Sequence, residues 1–304
     1  MTFTAKDVAA LREKTGCGMM DCKKALASAN GDMDAAIDFL REKGLAAATK
    51  KAGRIAAEGI AYAAVNEAGN IGVAIEVNSE TDFVAKNAEF QNFVQTCART
   101  VMEQNPTDVD ALLKCKASGS DETVDAILKE KILKIGENLK IRRFCRMEGA
   151  VGAYIHAGGK IGVLARFDTS AEVASKPEFK EYAKNICMQI AAINPQYLDE
   201  KSVPEDVLAH EKEILKQQVI ESGKPAAIAD KIVLGKLGKF YKEFCLVDQP
   251  YVKDGDLSIQ KYTDETAKTL GGKITILGFA RYEKGEGLEK RSDNFADEVA
   301  GMIK

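Results

Sequence analysis

The sequence predicts an α+β protein in which a small helical unit precedes two related antiparallel subdomains. Three observations carry that expectation. The first fifty or so residues show helical spacing interrupted by glycine stops. A shift of 90 residues superimposes Glu58-Gly59 on Glu148-Gly149 and Ile71-Gly72-Val73 on Ile161-Gly162-Val163. With one deletion the match continues to Glu89-Phe90 over Glu178-Phe179, so each copy reads as strand, glycine turn, strand and helix.

Taken in order, Thr4 caps a first helix with Asp7 three residues on, and Val8 and Leu11 share its inner face. Thr15-Gly16-Cys17-Gly18 breaks the chain before a second helix over roughly Met20 to Asn30. A third helix carries Ile37, Phe39 and Leu40 and is expected to stop at Gly44. Ala46 to Ala57, rich in Ala and Lys with Gly53 inside, reads as a hinge or a linker helix rather than core. In the second copy, Tyr154 to His156 and Ile161 to Phe167 flank Ala157-Gly158-Gly159-Lys160, whose glycines suit the positive φ angles of a hairpin turn.

Between the copies, Thr107 to Lys116 and Thr123 to Lys140 carry helical spacing around the polar loop Ser118-Gly119-Ser120-Asp121. Pro204 to Phe244 gives two long helical patterns joined at Ser222-Gly223-Lys224-Pro225, a protruding helical hairpin. A strand at Lys273 to Tyr282 then returns to the sheet, and Ser292 caps a terminal helix with Phe295, Val299 and Met302 on one side. The expected division is 1–54 for the three-helix unit, 55–145 and 146–290 for the two subdomains, with the hairpin at 204–246 inside the second, and 291–304 for a C-terminal helical module.

Composition excludes several function classes. At 304 residues the chain outgrows one core, and 45% hydrophobic residues suffice for two or three. A net charge of -3, from 43 Lys and Arg against 46 Asp and Glu, lacks the basic footprint of a nucleic-acid binder. The seven cysteines include no C-x-x-C pair, which reads as reduced thiols in a cytoplasmic protein. Met1 to Lys14 is polar, and no apolar run reaches the roughly 18 residues a membrane helix needs, so neither secretion nor a membrane is expected.

Catalytic chemistry is equally thin. The two histidines, His156 and His210, stand in unrelated contexts and read as satisfied or solvated side chains rather than catalytic ones. Gly158-Gly159-Lys160 and Gly271-Gly272-Lys273 lack phosphate-loop spacing and read as hairpin turns, so no nucleotide, cofactor or metal is expected on this chain. The basic cluster Lys140, Arg142, Arg143 and Arg146 reads as a solvated face.

The most informative stretch is Asn78-Ser79-Glu80-Thr81-Asp82-Phe83-Val84-Ala85-Lys86-Asn87, which ends an alternating strand and opens a helix. Locally, Ser79 with Asp82 forms a capping box and Asp82 pairs with Lys86. By periodicity Phe83 shares a helical face with Phe90 and Val94, which places it in the core. The stretch nevertheless resembles the central motif of the elongation factor Ts family. Leu11-Arg12-Glu13-Lys14-Thr15-Gly16 with Gly18-Met19-Met20-Asp21-Cys22-Lys23-Lys24-Ala25-Leu26 is similar to that family's ubiquitin-associated-like amino-terminal domain. Ile135-Gly136-Glu137-Asn138, Arg142-Arg143 and His156 to Leu164 resemble its later blocks, so the likeness spans the chain.

The resemblance implies a guanine-nucleotide exchange factor, not an enzyme, whose partner is the GTPase elongation factor Tu. It implies that Thr81, Asp82, Phe83 and Val84 intrude near the partner's magnesium site, which moves Phe83 from core to exposed anchor. It further implies partner contacts at Arg12, Met20, Lys23, Ile135, Gly136, His156 and Met302. Whether two such complexes pair as a dimer of heterodimers is left open, as are an adaptor role and RNA binding through Arg142, Arg143 and Arg146.

Overall fold

The computed structural model describes residues 3–222 and 226–289. Its fold is α+β. Helices α1 (Ala5–Thr15), α2 (Met19–Ser28) and α3 (Met33–Lys51) come first. The first repeat follows as strands β1 (Glu58–Val65) and β2 (Ile71–Ser79) with helices α4 (Asp82–Ala85) and α5 (Ala88–Gln104). Helices α6 (Val109–Lys114) and α7 (Val124–Ile135) lead into β3 (Lys140–Glu148). The second repeat is β4 (Ala150–His156), β5 (Ile161–Asp168), α8 (Ala171–Ser175) and α9 (Pro177–Ile193). Helices α10 (Glu205–Glu221) and α11 (Ala226–Phe244), a short ribbon of β6 (Pro250–Tyr251) and β7 (Asp254–Ser258), α12 (Ile259–Leu270) and β8 (Thr275–Glu283) complete the described chain.

Two three-stranded antiparallel sheets, β1-β2-β3 and β4-β5-β8, lie face to face, with α5 outside the first and α9 outside the second. The pattern of large and small residues builds this arrangement. On β2, Val73, Ile75 and Val77 point into the core under α5, while Ala74 meets Val151 and Leu164 across the seam between sheets. Gly72 and Gly162, equivalent in the two repeats, keep the seam narrow. A Cβ on Gly72 would stand 2.4 Å from Leu164 Cδ1, and one on Gly162 2.9 Å from the Ala61 backbone. The repeat extends to the caps of α5 and α9, where Asn105 and Asn194 close each helix in the left-handed region, at φ 49° and 53°.

Several sequence expectations need correcting. Helix α3 does not stop at Gly44 but runs on to Lys51, so the first part of the expected linker helix is continuous with it. Gly44 is buried there because α3 crosses α7 closely, and a Cβ would come 3.3 Å from the Lys129 carbonyl oxygen. The helical pattern from Thr123 to Lys140 ends at Ile135, capped by Gly136 at φ 87°, and Lys140 already belongs to β3. That strand continues past Cys145 to Glu148, so the change of sheet comes at Gly149. Gly271 caps α12 at φ 70° and is not a hairpin turn, and α12 has no counterpart among the sequence expectations. The expected terminal helix, including Met302, lies outside the described residues, as do Gly223, Lys224 and Pro225.

The basic cluster is not an open face either. Glu76, fully buried on β2, accepts from Arg142 at 3.0 Å, from Arg143 Nε at 2.6 Å, from Asn78 at 3.1 Å and from the Gly285 amide at 2.8 Å. Arg146 donates to the Met102 carbonyl. Arginine cancels a buried carboxylate here rather than meeting phosphate.

Candidate functional site

After Ser79 the chain leaves the sheet, and Thr81 opens the four-residue helix α4. Lys86 and Asn87 end it, and Asn87 caps a new helix by accepting from the Glu89 amide at 2.8 Å. This break decides where the aromatic ring goes. Phe90 and Val94 sit on α5 and are sealed in the first core, whereas Phe83, one helix earlier, is 78% exposed. Val84 takes the inward position beside it. Periodicity assumed one continuous helix, and that assumption fails at Lys86-Asn87.

The turn is held by groups distant in sequence. The expected capping box between Ser79 and Asp82 does not form: Ser79 Oγ donates to the Thr81 carbonyl at 2.9 Å. The Thr81 hydroxyl makes no cap for α4 and donates to Glu137 Oε1 at 2.6 Å. Glu137 Oε2 accepts the amides of Glu80 at 3.1 Å and Thr81 at 3.0 Å. In return Glu80 accepts the Asn138 amide at 2.6 Å, and the Asn138 side chain donates to the Arg54 carbonyl at 2.9 Å. Loops 80–81 and 137–138 are thus stitched in both directions.

Around the ring, Asp82 pairs with Lys86 at 2.8 Å, as the spacing predicts, and the ammonium lies 5.7 Å from the Phe83 centroid. The hydrogen bond from Lys86 holds the Asp82 carboxyl below its ordinary range. A cleft of about 430 Å³ runs from Asp82, Lys86 and Gln91 to the turn Ala157-Gly158-Gly159-Lys160. An exposed aromatic beside a charged pair that itself lines an open cleft suits insertion into another protein.

The other sequence-predicted residues fall into three places. Ile135 and Gly136 end α7 immediately before Glu137 and are joined to the α4 turn through it. Arg12, Met20 and Lys23 are exposed on α1 and α2, with Met20 at 63%, while Cys22, Ala25 and Leu26 supply the buried side of α2. His156 is exposed at the end of β4, 3.2 Å from the Tyr154 hydroxyl. Glu137 lies inside a stretch that resembles the family, but nothing in its sequence neighbourhood marks the role it takes here. The local signal was faint, since its partners lie more than fifty residues upstream.

Among the described residues no group of His, Cys, Asp or Glu is placed to hold a metal ion, and no helix is long and apolar enough to cross a membrane. The buried thiols of Cys97 and Cys187 are pushed up by desolvation, Cys97 to about 12, which keeps them protonated and unreactive.

A profile of the family described as Elongation factor TS matches residues 80–286. Proteins named elongation factor Ts are similar over nearly the whole chain. One from Clostridium perfringens (strain SM101 / Type A) is 53% identical over 303 residues, covering 99% of both chains. Another, from Trichlorobacter lovleyi, is 50% identical over 305 residues, covering 99% of this chain and 98% of its own. A third, from Symbiobacterium thermophilum, is 48% identical over 302 residues, covering 98% and 97%. The chain belongs to the elongation factor Ts family. It is accordingly a translation elongation factor of the nucleotide-exchange kind. The stretch shared with the elongation factor Ts profile begins at Glu80, on the loop that presents Phe83, and closes at Glu286, beside the arginine pair of Glu76.

Proposed function

We propose that this chain is a guanine-nucleotide exchange factor that binds elongation factor Tu carrying GDP and expels the nucleotide by disturbing its magnesium site. The observation carrying the reading is Phe83, a ring 78% exposed on a turn braced from behind. A magnesium ion bridging phosphate oxygens supplies much of a nucleotide's hold, so displacing its surroundings weakens GDP without touching it. Thr81, Asp82, Phe83 and Val84 form the intruding element. Acceleration by about 10⁴ needs roughly 5.5 kcal/mol of differential stabilisation, more than one side chain provides. Arg12, Met20 and Lys23 on the three-helix unit therefore grip the GTPase domain, assisted by Ile135 and Gly136, with the hairpin at His156 against another domain and Met302 in the terminal segment. Such a factor works in the cytoplasm.

The test is release of labelled GDP from elongation factor Tu under catalytic amounts of the factor. Phe83→Ala should slow release by about 30-fold, the loss of an anchor near 2 kcal/mol, while most binding is retained. An unchanged rate would discard the wedge.

A further inference from the structure

Helix α4 is four residues long, below the length at which a helix sustains itself, so the direction of Phe83 is set by whatever fixes its first turn. Only Val84 is buried among its residues. The two repeats offer a comparison inside one molecule. Continuing the register that places Glu178-Phe179 over Glu89-Phe90 puts Ser170 over Thr81, Glu172 over Phe83 and Val173 over Val84. In the second repeat the cap is local: Ser170 Oγ accepts the Val173 amide at 3.2 Å, and Val173 is buried like Val84. In the first repeat the corresponding hydroxyl has been withdrawn from its own helix and given to Glu137 at 2.6 Å.

We infer that Glu137 is a positioning residue for exchange: its carboxylate gathers the Glu80 and Thr81 amides and the Thr81 hydroxyl and thereby aims Phe83 outward. The chemistry of the donors explains the residue type. Three donors converge on one side chain, and a carboxylate has lone pairs for all of them, with the shorter and stronger bonds that charge brings. The support behind it is rigid. Glu137 follows the capped end of α7, a helix packed against α3, and Lys51 at the end of α3 donates to the Ile132 carbonyl at 3.3 Å. Glu80 answering to the Asn138 amide prevents the two loops from sliding past each other. The copy that caps itself carries a glutamate where the ring would be, and the braced copy carries the ring.

This inference rests on the wedge reading of Phe83, and a double-mutant cycle separates the two. GDP release from elongation factor Tu is measured with the parent, Phe83→Ala, Glu137→Ala and the double variant. Glu137→Ala should lower the maximal rate about tenfold while the half-saturating concentration of factor stays within about twofold. Glu137→Gln should restore most of the rate, since its oxygen can accept the amides and its NH2 can donate to the Thr81 hydroxyl. In the Phe83→Ala background, Glu137→Ala should cost nothing further. The chain has no tryptophan, so Phe83→Trp provides a single indole that can be excited beyond the absorption of the eight tyrosines, and its anisotropy should fall when Glu137→Ala is added. A full rate from Glu137→Ala, or an equal loss with and without the ring, overturns the inference and leaves the wedge standing. A full rate from Phe83→Ala overturns both.

Discussion

Phe90 has no exposed surface and packs with Val94, Cys97 and Ile75 in the first core, whereas Phe83 stands on the outside of the same subdomain. Their truncations should separate stability from action. Phe90→Ala should cost about 3–5 kcal/mol in urea unfolding. Phe83→Ala should stay within about 0.5 kcal/mol of the parent by the same measurement, because an exposed side chain surrenders little on removal. Residue chemistry was legible in the sequence where the partner was local, as with Asp82 and Lys86 or Thr4 and Asp7. It was illegible where the partner arrives through the fold. Neither the Arg142 and Arg143 pair on Glu76 nor the Glu137 carboxylate on Thr81 leaves a trace at short spacing.

Among the elements, an apolar stripe recurring every three or four residues makes the main helix of each repeat legible, α5 and α9, but it also runs α5 back into α4, and the equally striped α12 has no counterpart among the sequence expectations. Glycines misled in both directions. Gly44 looked like a stop but serves a close crossing, and Gly271 looked like a hairpin but ends a helix. The base of the helical hairpin carries a testable charge. Burial, then the neighbouring Glu200 and Asp199, raise the Asp248 carboxyl above its ordinary value of 3.8, against a smaller opposing effect of Lys242, and its Oδ2 is buried without a partner. A raised carboxyl favours the protonated form in the fold, so its contribution is present at low pH and is lost as pH rises. Asp248→Asn should therefore raise the melting temperature at pH 7, with the advantage shrinking as pH falls toward about 4. A gain that grew on acidification would contradict that sign.

At the scale of the whole molecule, the internal repeat was visible because it lies in runs of identical letters, and it predicted two sheets without saying how they meet. The answer depends on what glycines lack. Gly162 lies against the Ala61 backbone, and Ala61 donates its amide to the Gly159 carbonyl at 2.8 Å, so the two sheets are joined by main chain at one end of the seam. Gly162→Val has no room and should lower stability by about 3 kcal/mol, read as a shifted urea midpoint for the whole chain rather than for one repeat.

Strand β8 completes the second sheet, yet the residues after it turn back to the first: Gly285 gives its amide to Glu76, Glu286 meets Arg142 and Arg143, and Lys284 pairs with Glu58. A chain cut after Glu283 would keep every strand among the described residues and still leave a sealed carboxylate short of a donor. Calorimetry should find that version melting well below one cut after Leu288. The segment behaves as a clasp, so damage at the end of the second repeat should be felt first in the sheet that aims Phe83.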